Sequence, residues 1–133
     1  KTSIALLLVA LCAVFTVACG KPKVTIDESS VFITVDENIM EITDKTVLLD
    51  CMNELQKKEV FTFEIQDGML QSLNGKANTT SSFWMLYTDD TENSNADWGA
   101  FDHEGKTYYS ASKGVSELTV KTGCTYVWAY QTF

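Results

Sequence analysis

The segment TVLLDCMNELQKKEVFTFEIQDG, residues 46–68, changes its hydrophobic period from that of a helix to that of a strand within a few residues. Val47, Leu48, Cys51, Met52 and Leu55 recur at helical spacing, so they share one apolar face. Asp50, Asn53, Glu54, Lys57 and Lys58 fall on the other side, with the lysines near the C-terminal end that favours cations. Thr43 or Asp44 is the expected N-cap. Phe61-Thr62-Phe63-Glu64-Ile65 then alternates strictly, the signature of a half-buried strand, and Asp67-Gly68 marks a tight turn. A single helix laid on a sheet follows, which places the chain in the α+β class.

Working outward, Val31 to Val35 is a β-branched and aromatic run suited to a strand. Ile39 to Ile42 is expected to extend the sheet after a turn at Asp36-Glu37-Asn38. Met69 to Leu73 reads as a strand ending in the turn dipeptide Asn74-Gly75. Phe83 to Tyr87 is the most hydrophobic strand, and Thr88 to Asp97 (TDDTENSNAD) reads as an acidic surface loop. Trp98–Phe101, Thr107–Tyr109, Leu118–Val120 and Tyr126–Tyr130 complete the set of short strands. There is no internal repeat, so residues 31–133 are expected to form one domain, a helix on a mixed β-sheet.

The other end of the chain has a different character. Lys1-Thr2-Ser3 precedes an almost wholly apolar run from Ile4 to Ala18. A basic start, a short apolar stretch and small residues before a cut are the anatomy of a secretory signal. The run falls short of the roughly 20 residues that a spanning helix needs. Val17-Ala18-Cys19-Gly20 resembles a bacterial lipobox, in which the cysteine is lipidated after cleavage before it. Residues 1–18 are thus expected to be a lipoprotein-type signal peptide, Cys19 the lipidation site and residues 19–30 a tether. Thr16 stands where the lipobox has an aliphatic residue, so plain secretion is the alternative. Acylation at Cys19 would hold the domain on the extracellular face of the bacterial membrane, at about 0.8 kcal/mol per buried CH₂.

Composition narrows the function classes. The formal charge is -8, and all ten cations are lysines. An acidic chain without arginine lacks the bidentate fork for phosphate and guanine, so no nucleic-acid partner is expected. Asp89, Asp90, Glu92, Asn93, Asn95 and Asp97 are oxygen donors of the kind calcium takes. The loop nevertheless lacks an EF-hand's central glycine and terminal glutamate, and a solvated loop is the reading. His103 lies in what reads as an exposed turn, with no nucleophile-elbow or papain-like motif to serve. Neither an enzyme nor a metal or cofactor site is expected. Export permits a Cys51–Cys124 disulfide; two small buried thiols are the alternative.

The order of several motifs is more telling than any one of them. Thr46 to Met52 opens a helix, Ser72-Leu73-Asn74-Gly75 forms a turn, and Ser82 to Tyr87 is a tryptophan strand. Gly114-Val115-Ser116 and Leu118 to Gly123 follow, then Tyr126-Val127-Trp128-Ala129-Tyr130. From Val31 to Tyr130 this order resembles the transcobalamin-like C-terminal domain family. The resemblance implies a β-grasp (ubiquitin-like) domain, non-enzymatic, with cobalamin or another corrinoid as ligand. Its ligand-facing positions map onto Asn74, Phe83, Trp84, Met85, Gly114 and Val115. The stretch Tyr87–Lys113 is longer than the family's connection, and this insertion either covers the ligand face or adds to it. A cell-surface domain that binds a corrinoid or other small molecule is the leading expectation. The alternative is a surface adhesion or envelope module that contacts protein or glycan through exposed aromatics.

Overall fold

The computed structural model describes residues 20–133, so the expected signal peptide and the expected lipidation site at Cys19 lie outside the described residues. The elements are β1 (Lys23–Ile26), β2 (Ser30–Thr34), α1 (Leu48–Lys57), β3 (Phe63–Gln66), β4 (Met69–Leu73) and β5 (Lys76–Ala77). They continue with β6 (Ser82–Thr88), a 3-10 turn (Thr91–Asn93), β7 (Ser94–His103), β8 (Lys106–Ala111) and β9 (Thr125–Thr132). Six strands form one sheet in the order β1-β2-β9-β6-β8-β7, and β3-β4-β5 form a smaller one. The fold is α+β, but every strand pairing is antiparallel, so the expected mixed sheet is not what forms. The reason lies at the end of β2. Val35 N–H donates to Cys124 O, and Gly123 N–H donates to Val35 O. This pair of bonds brings the chain back into β9 at the end where β2 leaves, and β9 must then run antiparallel to it.

α1 buries Leu48, Cys51, Met52 and Leu55, the face that the spacing predicts. Its N-terminus differs from the expectation. Thr43 and Thr46 bond each other one turn earlier, with Thr43 N–H donating to Thr46 Oγ1 at 2.9 Å. The first-turn donors find other partners: Val47 N–H reaches Asp50 Oδ2 at 3.0 Å, Leu48 N–H reaches Leu118 O, and Leu49 N–H reaches Val115 O. The 115–118 segment therefore serves as the helix cap, in place of a single polar side chain. At the other end Glu59 takes φ 62°, and Val60 N–H closes on Leu55 O at 3.0 Å, a Schellman closure with glutamate where glycine is usual.

The core fills the space between α1 and the large sheet. Val31, Ile33 and Val35 point toward the helix, as do Trp84, Tyr126 and Trp128, and the Trp128 indole N–H donates to Met52 Sδ. The alternate residues Phe32, Tyr87, Tyr108, Val127 and Ala129 form a second cluster on the other face of the sheet.

Four local expectations give way. Lys23–Ile26 is not tether but the edge strand β1, because its Val24 and Ile26 suit a ladder with β2. Ile39–Ile42 forms a turn, in which Asp36 accepts the N–H groups of Asn38 and Ile39 and drops Ile39 into the core. Leu118–Val120 makes only one bridge, Val47 to Thr119, since its backbone is spent on the helix end. Thr88–Asp97 is not a solvated loop: Thr88 is fully buried, Asp90 is 2 % exposed, and β7 begins at Ser94. Among the described residues no helix is long and apolar enough to cross a membrane.

Candidate functional site

β6 pairs with β9 along its whole length but with β8 only at Tyr87–Ser110 and Thr88–Tyr109. Beyond that point β8 leaves β6, and the edge of β6 from Ser82 to Leu86 has no strand beside it. A cleft of about 340 Å³ opens there. Its apolar lining includes Leu70, Trp84, Leu86, Val115 and Trp128, and Met69 and Trp98 stand at its rim.

Trp84 is 7 % exposed and held from several sides. Asn78 Oδ1 accepts its backbone N–H at 2.9 Å, and Lys76 O accepts its indole N–H at 2.8 Å. Tyr130 meets its ring edge-on at 5.1 Å, and the Tyr130 hydroxyl donates to Ala77 O. Asn78 spends its other end on the opposite wall, where Nδ2 donates to Leu70 O at 2.8 Å. One side chain thus ties the small sheet to the large one beside the cleft. The Asn74-Gly75 turn helps to set this spacing, with both residues at positive φ as a type I′ hairpin requires.

The outer wall comes from the stretch Tyr87–Lys113. The β7–β8 ladder breaks between Asn95 and Ala100, so residues 96–99 bulge from the strand, and Trp98 is 64 % exposed. Gly99 makes the bulge feasible: its φ is +143°, and a Cβ there would sit 3.0 Å from Ser110 Oγ. Ser110, Ala111, Lys113 and Gly114 carry the lining onward to Val115. Tyr87–Lys113 therefore builds one side of the cleft.

Of the six ligand-facing positions expected from the sequence, Phe83, Trp84, Met85, Gly114 and Val115 line this one cleft. Asn74 does not. Its N–H donates to Thr62 O, and its Oδ1 accepts Thr62 N–H, which makes it a brace between β3 and β4. Leu70, Asn78 and Lys113 also line the cleft, with no local signal to mark them, and Trp98 and Trp128 join it from the aromatic-rich C-terminal half.

The other chemical groups are engaged elsewhere. His103 is no exposed turn residue: it ends β7 with its ring 4.5 Å from Phe32 and stacked on Phe101, near the Glu104 carboxylate. Asp90 accepts from Glu92 N–H, Asn93 Nδ2 and the Tyr126 hydroxyl, with Lys121 3.8 Å away. Asp89 accepts from Thr125 N–H and Lys106 Nζ, and Lys121 also pairs with Glu92. Cys51 and Cys124 both carry free thiols, so the disulfide is not formed. Cys51 is committed to the core face of α1, while backbone bonds to Lys121 and Val35 hold Cys124 in the turn before β9. Burial, reinforced by Asp50 and Glu54, pushes the Cys51 thiol up to about 12. Burial also raises the Cys124 thiol, with Asp90 and Asp89 adding to the effect and Lys121 and Lys106 opposing it.

No protein-family profile matches this chain, and no curated protein or solved structure matches it either.

Proposed function

We propose that this is a non-enzymatic binding domain that holds an apolar part of a small molecule between Trp84 and Trp98. The observation that supports this reading is the convergence of Phe83, Trp84, Met85, Gly114 and Val115, distant in sequence, on one open apolar cleft. A volume of about 340 Å³ lies at the lower end of the range for small-molecule sites, with one fixed aromatic and one exposed aromatic to grip a flat group. The fold is read as a β-grasp variant of the transcobalamin-like type, and cobalamin or another corrinoid is the ligand that this resemblance supplies. A cleft of this size would take only an edge of a corrin ring. The domain is placed at the extracellular face of the bacterial membrane, held by lipid on Cys19, so that it captures its ligand at the cell surface.

Titration with cobalamin and cobinamide, followed by tryptophan fluorescence, tests the corrinoid version. Saturable quenching that is lost in Trp98→Ala supports it. A Kd weaker than about 1 mM, worth only about 4 kcal/mol, overturns it.

A second reading has its own observation. Trp98 and Tyr109 are exposed together on the β7–β8 hairpin, while Trp84 is buried. Such a pair suits contact with a protein or glycan surface, as an adhesion or envelope module would make. Glycan-array binding that disappears with Trp98→Ala, without any small-molecule binding, would favour it.

A further inference from the structure

We infer that the ligand of the Trp84–Trp98 cleft is a small apolar acid, whose carboxylate is held by Lys113 while its apolar body lies in the cleft. This rests on the cleft being a ligand site, as proposed above, and is independent of the corrinoid version. Three observations carry it.

The chain bears a net charge of -8, yet among the described residues the only charged side chain lining the cleft is a cation, Lys113. Half of the lysines serve the fold. Lys23, Lys57, Lys106 and Lys121 each pair with a carboxylate, and Lys76 lies over the Tyr130 ring. Among the described residues Lys21, Lys45, Lys58 and Lys113 have no such partner, and of these four only Lys113 lines the cleft.

The remaining polar groups of the lining are divided in a telling way. Both ends of the Asn78 amide are spent on Trp84 N–H and Leu70 O. The Ser110 hydroxyl lines the cleft, is engaged by no other group among the described residues, and is not sealed from solvent. Open to the cleft, this hydroxyl is free to donate to a group of the ligand. A carboxylate is an acceptor with capacity for both an ammonium and a hydroxyl donor. A neutral apolar ligand would displace water from Ser110 without replacing its bond, and a cationic one would oppose Lys113.

The test uses matched probes, 2-naphthoate and 2-naphthamide, which share a flat apolar body and differ in charge. Each is titrated into the protein by calorimetry, with tryptophan fluorescence in parallel, at low and at high salt. The naphthoate is expected to bind about fivefold tighter than the amide, the worth of one partly exposed ion pair. That ratio is expected to shrink toward one at high salt and in Lys113→Gln, and to invert in Lys113→Glu. Ser110→Ala is expected to weaken the naphthoate further. Equal binding of acid and amide would overturn the acid inference and leave the cleft reading standing. A preference for the acid that survives Lys113→Gln would overturn the role of Lys113. Binding of neither probe would overturn the cleft reading and this inference with it.

Discussion

Replacing Asn78 with alanine should separate the two sheets beside the cleft. The side chain makes two bonds of good length, 2.9 Å from Trp84 N–H and 2.8 Å to Leu70 O, and each anchors a buried residue on a different sheet. A hydrogen bond of this kind contributes about 1 kcal/mol net, and leaving its partner orphaned in a buried place costs about 1–3 kcal/mol. Some of the freed groups will find water in the open cleft, so the expected loss for Asn78→Ala is about 2 kcal/mol. Urea denaturation followed by tryptophan fluorescence measures it, since Trp84 and Trp128 are buried in the native state. The loss should appear as a lower midpoint with an unchanged slope, because the surface exposed on unfolding stays nearly the same. A second consequence concerns the site. With the Trp84 backbone released from the small sheet, binding of the naphthoate probe should weaken along with stability. A variant within about 0.5 kcal/mol of the parent would refute the reasoning, since that is the range of an ordinary surface substitution.

Trp98→Ala should do the reverse: stability within about 0.5 kcal/mol of the parent, because the ring is mostly exposed, together with loss of probe binding. Glu59→Gly should stabilise the domain by up to about 1 kcal/mol in the same urea assay, by relieving a non-glycine residue at φ 62°. Cys51 has a folded pKa of about 12 against an ordinary 9.0, so its contribution to stability is whole below pH 9 and is lost as pH rises toward 12. Burial raises Tyr126, and carboxylate partners raise Lys106, so these groups add to the same alkaline loss. Urea midpoints at rising pH should fall over this window, and Cys51→Ala should flatten the first part of the fall. Peptide mapping after alkylation at neutral pH should find Cys51 unmodified in the native protein and modified in urea, because burial excludes both the reagent and the thiolate.

The helix face, most strands and the hairpin turns were legible in the residues themselves, because the signals are local. Leu48, Cys51, Met52 and Leu55 lie within three turns of one another, and Asn74-Gly75 carries its turn geometry in its own backbone. All six expected ligand-facing positions came from the resemblance, and five of them line one cleft. Asn74 lies outside the cleft, since a turn residue can brace its neighbours as readily as it can face a ligand. Nothing local said that Asn78 would bridge two sheets, that the Leu118 segment would cap a helix 70 residues earlier, or that Asp90 would be buried under Tyr126.

Period and turn chemistry alone thus determined the α+β class, the helix and the hairpins, since each depends on neighbours a few residues apart. The antiparallel course of β9, the divergence of β8 from β6, and the cleft between Trp84 and Trp98 were decided only by the tertiary structure. They depend on where strands distant in sequence end relative to one another, which no local pattern encodes.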